Sequence, residues 1–189
     1  MDRRQRKTEE AISRALNQLL EEGRDINTIS VRELTAAADI TRSTFYLHYH
    51  DIPDLINSYL SEYLNNIASI IQKDYSQEPG KDRNLYLQLL KFMEDNHQRT
   101  SLVFSTRNYS SYSRFIEEGI VPYLEAKYHA YLPQADQKKL HTISVYTSRG
   151  TVGIILEWIA GGYQESDRQV AEEIIEAIEF YTRYFQDNF

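Results

Sequence analysis

Between Ser30 and His50 the sequence sets hydrogen-bonding side chains at the spacing of two short helices. Arg42, Ser43, Thr44, Tyr46 and His48 follow Thr41, with Phe45 and Leu47 as the apolar interruptions. An arginine on such a helix can bond guanine O6 and N7 together, worth about 1–3 kcal/mol of base discrimination. Ser43 and Leu47 add hydroxyl and methyl contacts. Thr44, Tyr46 and His48 suit phosphate oxygens, which position a protein on a duplex without specifying sequence. Together these residues have the chemistry of a helix that reads the DNA major groove from beside a supporting helix. A solvated polar face on a small helix is the bland alternative.

The flanking residues supply what would hold that helix. Ser30 with Glu33 has capping-box spacing, which starts a support helix over Val31–Ala38 with Leu34, Ala37 and Ala38 on its apolar face. Asp39-Ile40-Thr41 makes the turn, and Thr41 caps a recognition helix over Arg42–Tyr49, with Phe45 and Tyr49 in the core. A first helix is expected over Thr8–Glu22, with Ile12, Leu16, Leu19 and Leu20 inward and Gly23 as its stop. Ile26 and Ile29 would plug the small core beneath it. Asp51-Ile52-Pro53-Asp54 opens a fourth helix, proline fitting a first turn. Its face continues through Leu55, Tyr59, Tyr63, Ile67, Ile70 and Ile71.

The stretch from Thr28 to Leu55 resembles the helix-turn-helix of TetR-family transcriptional regulators. The matching run is Thr44-Phe45-Tyr46-Leu47-His48-Tyr49, followed by Asp54-Leu55. The resemblance implies a regulator that binds double-stranded DNA as a homodimer and responds to a small-molecule effector. Its DNA-contacting candidates are Ser30, Arg32, Thr41, Arg42, Ser43, Thr44, Tyr46, Leu47 and His48. For Arg32 a surface salt bridge is an equal alternative. Two positions depart from the family pattern. Asp39 stands where glycine is common, and aspartate tolerates left-handed backbone better than most residues. Ile52 stands where a phosphate-touching lysine is usual, which weakens that contact unless His50 or the arm Arg3–Lys7 replaces it.

Composition bounds the rest. The chain has 189 residues, a net charge of −7 and no cysteine, so disulfides and thiolate chemistry are excluded. The charged first 25 residues lack the apolar core of a signal peptide, and no run approaches the ~20 apolar residues of a membrane span. A cytoplasmic protein is the expectation. Residues 1–60 hold 8 Lys+Arg against 10 Asp+Glu. Local field governs phosphate attraction, so only the basic arm favours DNA, and modest non-specific affinity follows. No glycine-rich phosphate loop, metal cluster or activated nucleophile is visible. The expectation is therefore no enzyme, no cofactor and no metal, with His97, His129 and His141 as ordinary surface or helix-end residues.

Helical periodicity dominates throughout. The expected architecture is all-α with about nine helices: a three-helix head over residues 1–51 and a larger effector-binding and dimerisation domain over 52–189. Beyond a polar loop (Tyr75–Arg83), helices are expected over Asn84–Asp95, Thr100–Ser105 and Tyr112–Tyr131. An eighth follows from an Asp136 cap to Ala160, and a ninth from a Ser166/Gln169 box. The eighth helix is apolar nearly all round, as a helix buried on both sides must be. Gly150, Gly153, Ile154 and Trp158 on it, with Ile174, Ile178 and Tyr181 on the ninth, are the candidate dimer face, closing a four-helix bundle on a two-fold axis. The alternative is a monomer core. The run Gly150–Trp158 with Gly161-Gly162 and Glu165-Ser166 is similar to the Gram-positive subgroup that regulates dihydroxyacetone-kinase operons. An effector pocket is expected between helices four to eight. Its candidates are Tyr63, Ile67, Phe92, His97 and Phe104, continuing with Tyr109, Tyr112, Phe115, Tyr146 and Trp158. The same fifteen tyrosines would equally suit a tyrosine-rich core, where each hydroxyl needs a partner. The functional expectation is a ligand-responsive repressor on a palindromic operator. The alternative is an activator or co-regulator of the same fold with weak intrinsic DNA binding.

Overall fold

The computed structural model describes residues 3–73, 83–104 and 113–188, and these are helical with no strand among them. Chain contacts divide the protein into two compact units, 1–63 and 64–189. The division falls inside α4 (Ile52–Ile71), later than the 51/52 boundary suggested by sequence. The reason is packing: Leu55, Tyr59, Leu60 and Tyr63 are buried, and the Tyr59 hydroxyl donates to Asn17 Oδ1 on the first helix.

In the N-terminal unit, α1 spans Arg3–Glu21 and buries Ile12, Ala15 and Leu16. It starts before the expected Thr8, because Arg, Gln, Lys and Glu are strong helix formers; the basic arm is its first turn. Gly23 ends it at φ +79°. Gly23 N–H bonds Leu20 O and Arg24 N–H bonds Leu19 O, each at 3.0 Å, the Schellman pattern. Ile26 and Ile29 are buried. The next helix, α2 (Val31–Ala37), opens on the full Ser30/Glu33 capping box. The same C-terminal pattern recurs at its end: Asp39 sits at φ +53°, and Ile40 N–H bonds Thr35 O at 3.0 Å. A short α3 (Arg42–Tyr46) follows, with the Thr41 side chain accepting from Thr44 N–H. The α-helix therefore stops before the expected Tyr49, although Tyr49 N–H still bonds Phe45 O at 3.0 Å.

The C-terminal unit contains the end of α4, α5 (Arg83–Asp95) and α6 (His97–Val103). Helix α6 begins earlier than the expected Thr100. A π-helical turn, Ile116–Ile120, then runs directly into α7 (Val121–Tyr131). Two long helices close the unit, α8 (Gln137–Ala160) and α9 (Asp167–Asn188). Asp136 caps α8 by accepting from Lys139 N–H at 2.9 Å. Before α9, Ser166 and Gln169 bond reciprocally. Helix α7 packs on α8, and α9 packs against α5 and α8. An Arg83–Glu172 ion pair, 2.7 Å from Nη2 to Oε2, ties α5 to α9. One core cluster is Tyr128, Leu132, Leu140 and Ile143. Among the described residues no helix is long and apolar enough to cross a membrane.

Candidate nucleic-acid interface and interior cavity

Helix α3 is held by its apolar side. Phe45 is fully buried, and its ring meets Tyr46 edge-on at 5.4 Å and Tyr49 at 5.8 Å. The opposite side faces outward. Arg42 and Ser43 are exposed, Tyr46 is 57% exposed and Leu47 84% exposed. Leu47 is the C-cap of α3, next to the exposed Tyr46. Thr41 Oγ1 lies 2.7 Å from Ser43 Oγ and 2.8 Å from Thr44 Oγ1. These three hydroxyls form one chain at the helix start.

His48 is placed differently from the sequence expectation. Its side chain is only 9% exposed and its Nδ1 lies 3.2 Å from Glu9 Oε1 on α1. The imidazole pins α3 to α1 and is not displayed for phosphate. Arg32 is exposed, and nearby Arg24 Nη2 is 2.6 Å from Glu33 Oε1. The Glu33 carboxyl is held below its ordinary value by the backbone N–H of Ser30, then by the Ser30 hydroxyl, with Arg24 adding. Burial pushes the Tyr49 phenol up, and the Glu9 charge adds to it.

The start of α4 is acidic. Asp54 N–H donates to Asp51 Oδ1 at 2.8 Å, and His50 N–H donates to Asp54 Oδ2 at 2.9 Å. Asp54 thus serves the helix start, and Ile52 stands between Asp51 and Asp54 in the chain. Among the described residues no group of three or more His, Asp or Glu side chains is arranged for a metal. His141 pairs with Glu125 at 2.7 Å, His97 opens α6, and His129 is exposed.

The C-terminal unit holds a partly open cavity of about 90 Å³. Leu64, Ile67 and Ile71 wall it from α4, and Leu85, Tyr86, Leu89 and Met93 from α5. Ile116 and Ile120 of the π turn and Tyr123 of α7 close it, opposite Thr147, Ser148 and Thr151 of α8. Single π turns inside helices are frequent at functional sites. Of the expected lining residues, Ile67, Phe104 and Phe115 are on the wall. Tyr63 is buried in the N-terminal unit. Phe92 and His97 lie off the wall, and Tyr146 is 48% exposed. Trp158 is buried elsewhere: its Nε1 donates to Glu165 O at 2.8 Å, and Tyr163 stacks edge-on against it at 4.8 Å. Tyr109 and Tyr112 lie outside the described residues. The α8 hydroxyls had been missed. Their i, i+4 spacing within an apolar helix was the available signal.

Three expected dimer-face residues, Trp158, Ile174 and Ile178, lie in the chain's own interior. The stripe on α9 that joins Ile174 to Ile178 is the one this unit needs for its own core. Gly150 and Gly153 are exposed, and Ile154 and Tyr181 are half-buried. A Cβ at either glycine would meet nothing within 4 Å. On α9 Phe180 is 66% exposed and Tyr184 56%, and Tyr146 of α8 meets Tyr181 at 4.6 Å. The sequence reading had passed over Phe180 and Tyr184.

A family model described as "Transcriptional regulator C-terminal region", a TetR C-terminal family, matches residues 83–180, slightly more than half of the chain. The chain belongs to the TetR family of transcriptional regulators. No curated protein sequence matches it. Among solved structures it is similar to a transcriptional regulator (TerR/AcrR family) from Aquifex aeolicus VF5. That match has 17% identity and a TM-score of 0.67, covering 92% of this chain and 99% of the other. The dihydroxyacetone kinase operon activator DhaS is similar at 20% identity and TM-score 0.66, covering 94% and 97%. The multidrug binding protein EbrR, complexed with imidazole, is similar at 14% identity and TM-score 0.56, covering 94% and 91%. At these identities the structures share its fold. The all-α architecture expected from sequence is thereby shown.

Proposed function

We propose that this TetR-family regulator is a homodimeric, ligand-responsive repressor that reads a palindromic operator through α3. The observation carrying the reading is the exposed face Arg42, Ser43, Tyr46 and Leu47 on a helix fixed from behind by Phe45 and His48. A preorganised helix with one arginine and one bare apolar side chain matches guanine and thymine edges in a major groove. The dimer rests on the exposed surface of α8 and α9. Gly150, Gly153, Tyr146, Phe180 and Tyr184 present close-approach positions and bare aromatic rings, which suits a second copy of the same surface about a two-fold axis. The cavity over α5 and α8 is the effector site. EbrR, named as a multidrug binding protein, makes that use of the fold reasonable. Such a protein works in the cytoplasm, where its DNA is.

The test is affinity selection of sheared genomic DNA on the purified protein, with sequencing of the bound fragments. A recurring palindrome supports the reading; fragments drawn evenly from the genome at low salt sink it. A second reading, an activator or co-regulator with weak intrinsic DNA binding, is favoured by Asp51 and Asp54 beside Ile52 at the α4 start. The activator DhaS also shares the fold. Deleting the gene separates the two: target transcripts rise for a repressor and fall for an activator.

A further inference from the structure

We infer that the ligand of the α5/α8 cavity is a small uncharged molecule, mostly hydrocarbon, with one hydroxyl or carbonyl group turned toward α8. This rests on the reading of the cavity as the effector site and names the chemistry it takes. None of the described lining residues is Asp, Glu, Lys, Arg or His. A charged ligand would lose its hydration against these described residues, none of which offers a counter-charge, and burying an unpaired charge is far costlier than burying a neutral polar group. Protonated amines, carboxylates and phosphate esters are thereby disfavoured.

The wall is polar on one side only. Leu64, Ile67, Leu89, Met93 and Ile116 supply aliphatic surface, whereas one turn of α8 supplies Thr147, Ser148 and Thr151. Each hydroxyl has a different state. Ser148 Oγ donates to Val145 O at 3.0 Å, leaving it as an acceptor. Thr147 Oγ1 shares a 2.9 Å bond with the buried Tyr128 hydroxyl. Thr151 makes no side-chain hydrogen bond among the described residues and is half-buried. A ligand hydroxyl or carbonyl at this turn would find both a donor and an acceptor. Burial pushes the Tyr128 phenol up, so the group behind Thr147 stays neutral. At roughly 30 Å³ per water, the 90 Å³ space is that of about three waters, so it takes the polar end and part of a small ring, with the remainder at its open mouth.

Four small ring compounds test the inference by calorimetric titration of the full-length protein near pH 7: benzyl alcohol, toluene, benzoate and benzylammonium. Benzyl alcohol should bind, with both ions weaker by at least about thirtyfold. Thr151→Val, nearly isosteric, should lower benzyl alcohol to the affinity of toluene, a loss of about tenfold. Leu89→Trp, which fills the cavity, should abolish binding of both neutral rings. An ion that binds within threefold of benzyl alcohol overturns the inference. So do neutral rings that fail to bind, benzyl alcohol unaffected by Thr151→Val, or binding that survives in folded Leu89→Trp protein. Because the titration contains no DNA, a ring that binds as expected but leaves DNA affinity unchanged sinks only the effector reading.

Discussion

At the residue scale, the α3 surface makes opposite predictions for two positions. Arg42 is exposed at the first position of α3. If it grips guanine, Arg42→Ala costs about 1–3 kcal/mol on the operator and little on random DNA. Equal losses on both sequences, measured by fluorescence anisotropy, would make it a phosphate contact. Ile52 adjoins Asp51 and Asp54 at the opening of α4. Ile52→Lys should tighten binding to every duplex and steepen the salt slope by about one. An unchanged slope would place the α4 start away from the backbone. The Ser30–Glu33 box adds a pH dependence. Glu33 has its carboxyl lowered chiefly by the Ser30 backbone N–H, so its contribution is present above its ordinary value of 4.5 and is lost as pH falls through the depressed one. Ser30→Ala costs about 1 kcal/mol at neutral pH. Glu33→Gln, which removes the titrating carboxyl, should flatten the acid limb of the stability curve, measured by urea unfolding at pH 7 and across the acid range. A variant whose acid limb is unchanged would assign that limb to other carboxylates.

At the scale of the elements, the exposed glycines of α8 separate monomer folding from pairing. Gly150→Arg introduces a side chain where a Cβ has open space within the chain. The monomer should keep or gain stability, since arginine exceeds glycine in helix propensity by nearly 1 kcal/mol. The proposed dimer should dissociate, as read by sedimentation equilibrium; a Gly150→Arg dimer as tight as the parent would move the interface off α8. The same helix shows what was legible from sequence. Its ends were readable, because the Asp136 cap and Gly161 are local signals acting within one turn. The starts of α2 and α3 were readable for the same reason at Ser30 and Thr41. Which side of α8 faces the chain's interior was not, because an apolar residue on a helix apolar all round suits either side. Trp158 lies inward, where Glu165 O beyond the Gly161-Gly162 turn receives its N–H and Tyr163 meets its ring. The π turn at Ile116–Ile120 had no readable cue either. One extra residue in a helix shifts the register of the side chains that follow it in that helix, and Ile120 and Tyr123 on the wall lie in this stretch.

At the scale of the whole molecule, α4 supplies buried side chains to each unit: Leu55, Tyr59 and Tyr63 to the first, Ile67 to the second. Ile67 is also on the cavity wall. A ligand in that cavity can alter DNA binding only if it has different affinities for the DNA-competent state and its alternative. Tight binding alone shifts nothing. The size of the effect then has a second, independent measure. If benzyl alcohol weakens operator binding by some factor, the operator must weaken benzyl alcohol binding by the same factor, typically about 5–150-fold for coupled sites. We expect anisotropy titrations of operator with and without the ring, and calorimetric titrations of the ring with and without operator, to return equal factors. Because the cycle must close whatever the route, unequal factors would mean only that a titration had not reached equilibrium or had another stoichiometry, whereas a factor of one in both directions would mean that the cavity and the DNA are not coupled. Thr151→Val gives the control. It should weaken ring binding while leaving the intrinsic operator affinity of ring-free protein unchanged, because Thr151 touches the ligand and not α4's packing in the N-terminal unit. A change in ring-free operator affinity would instead place Thr151 within the conformational equilibrium itself.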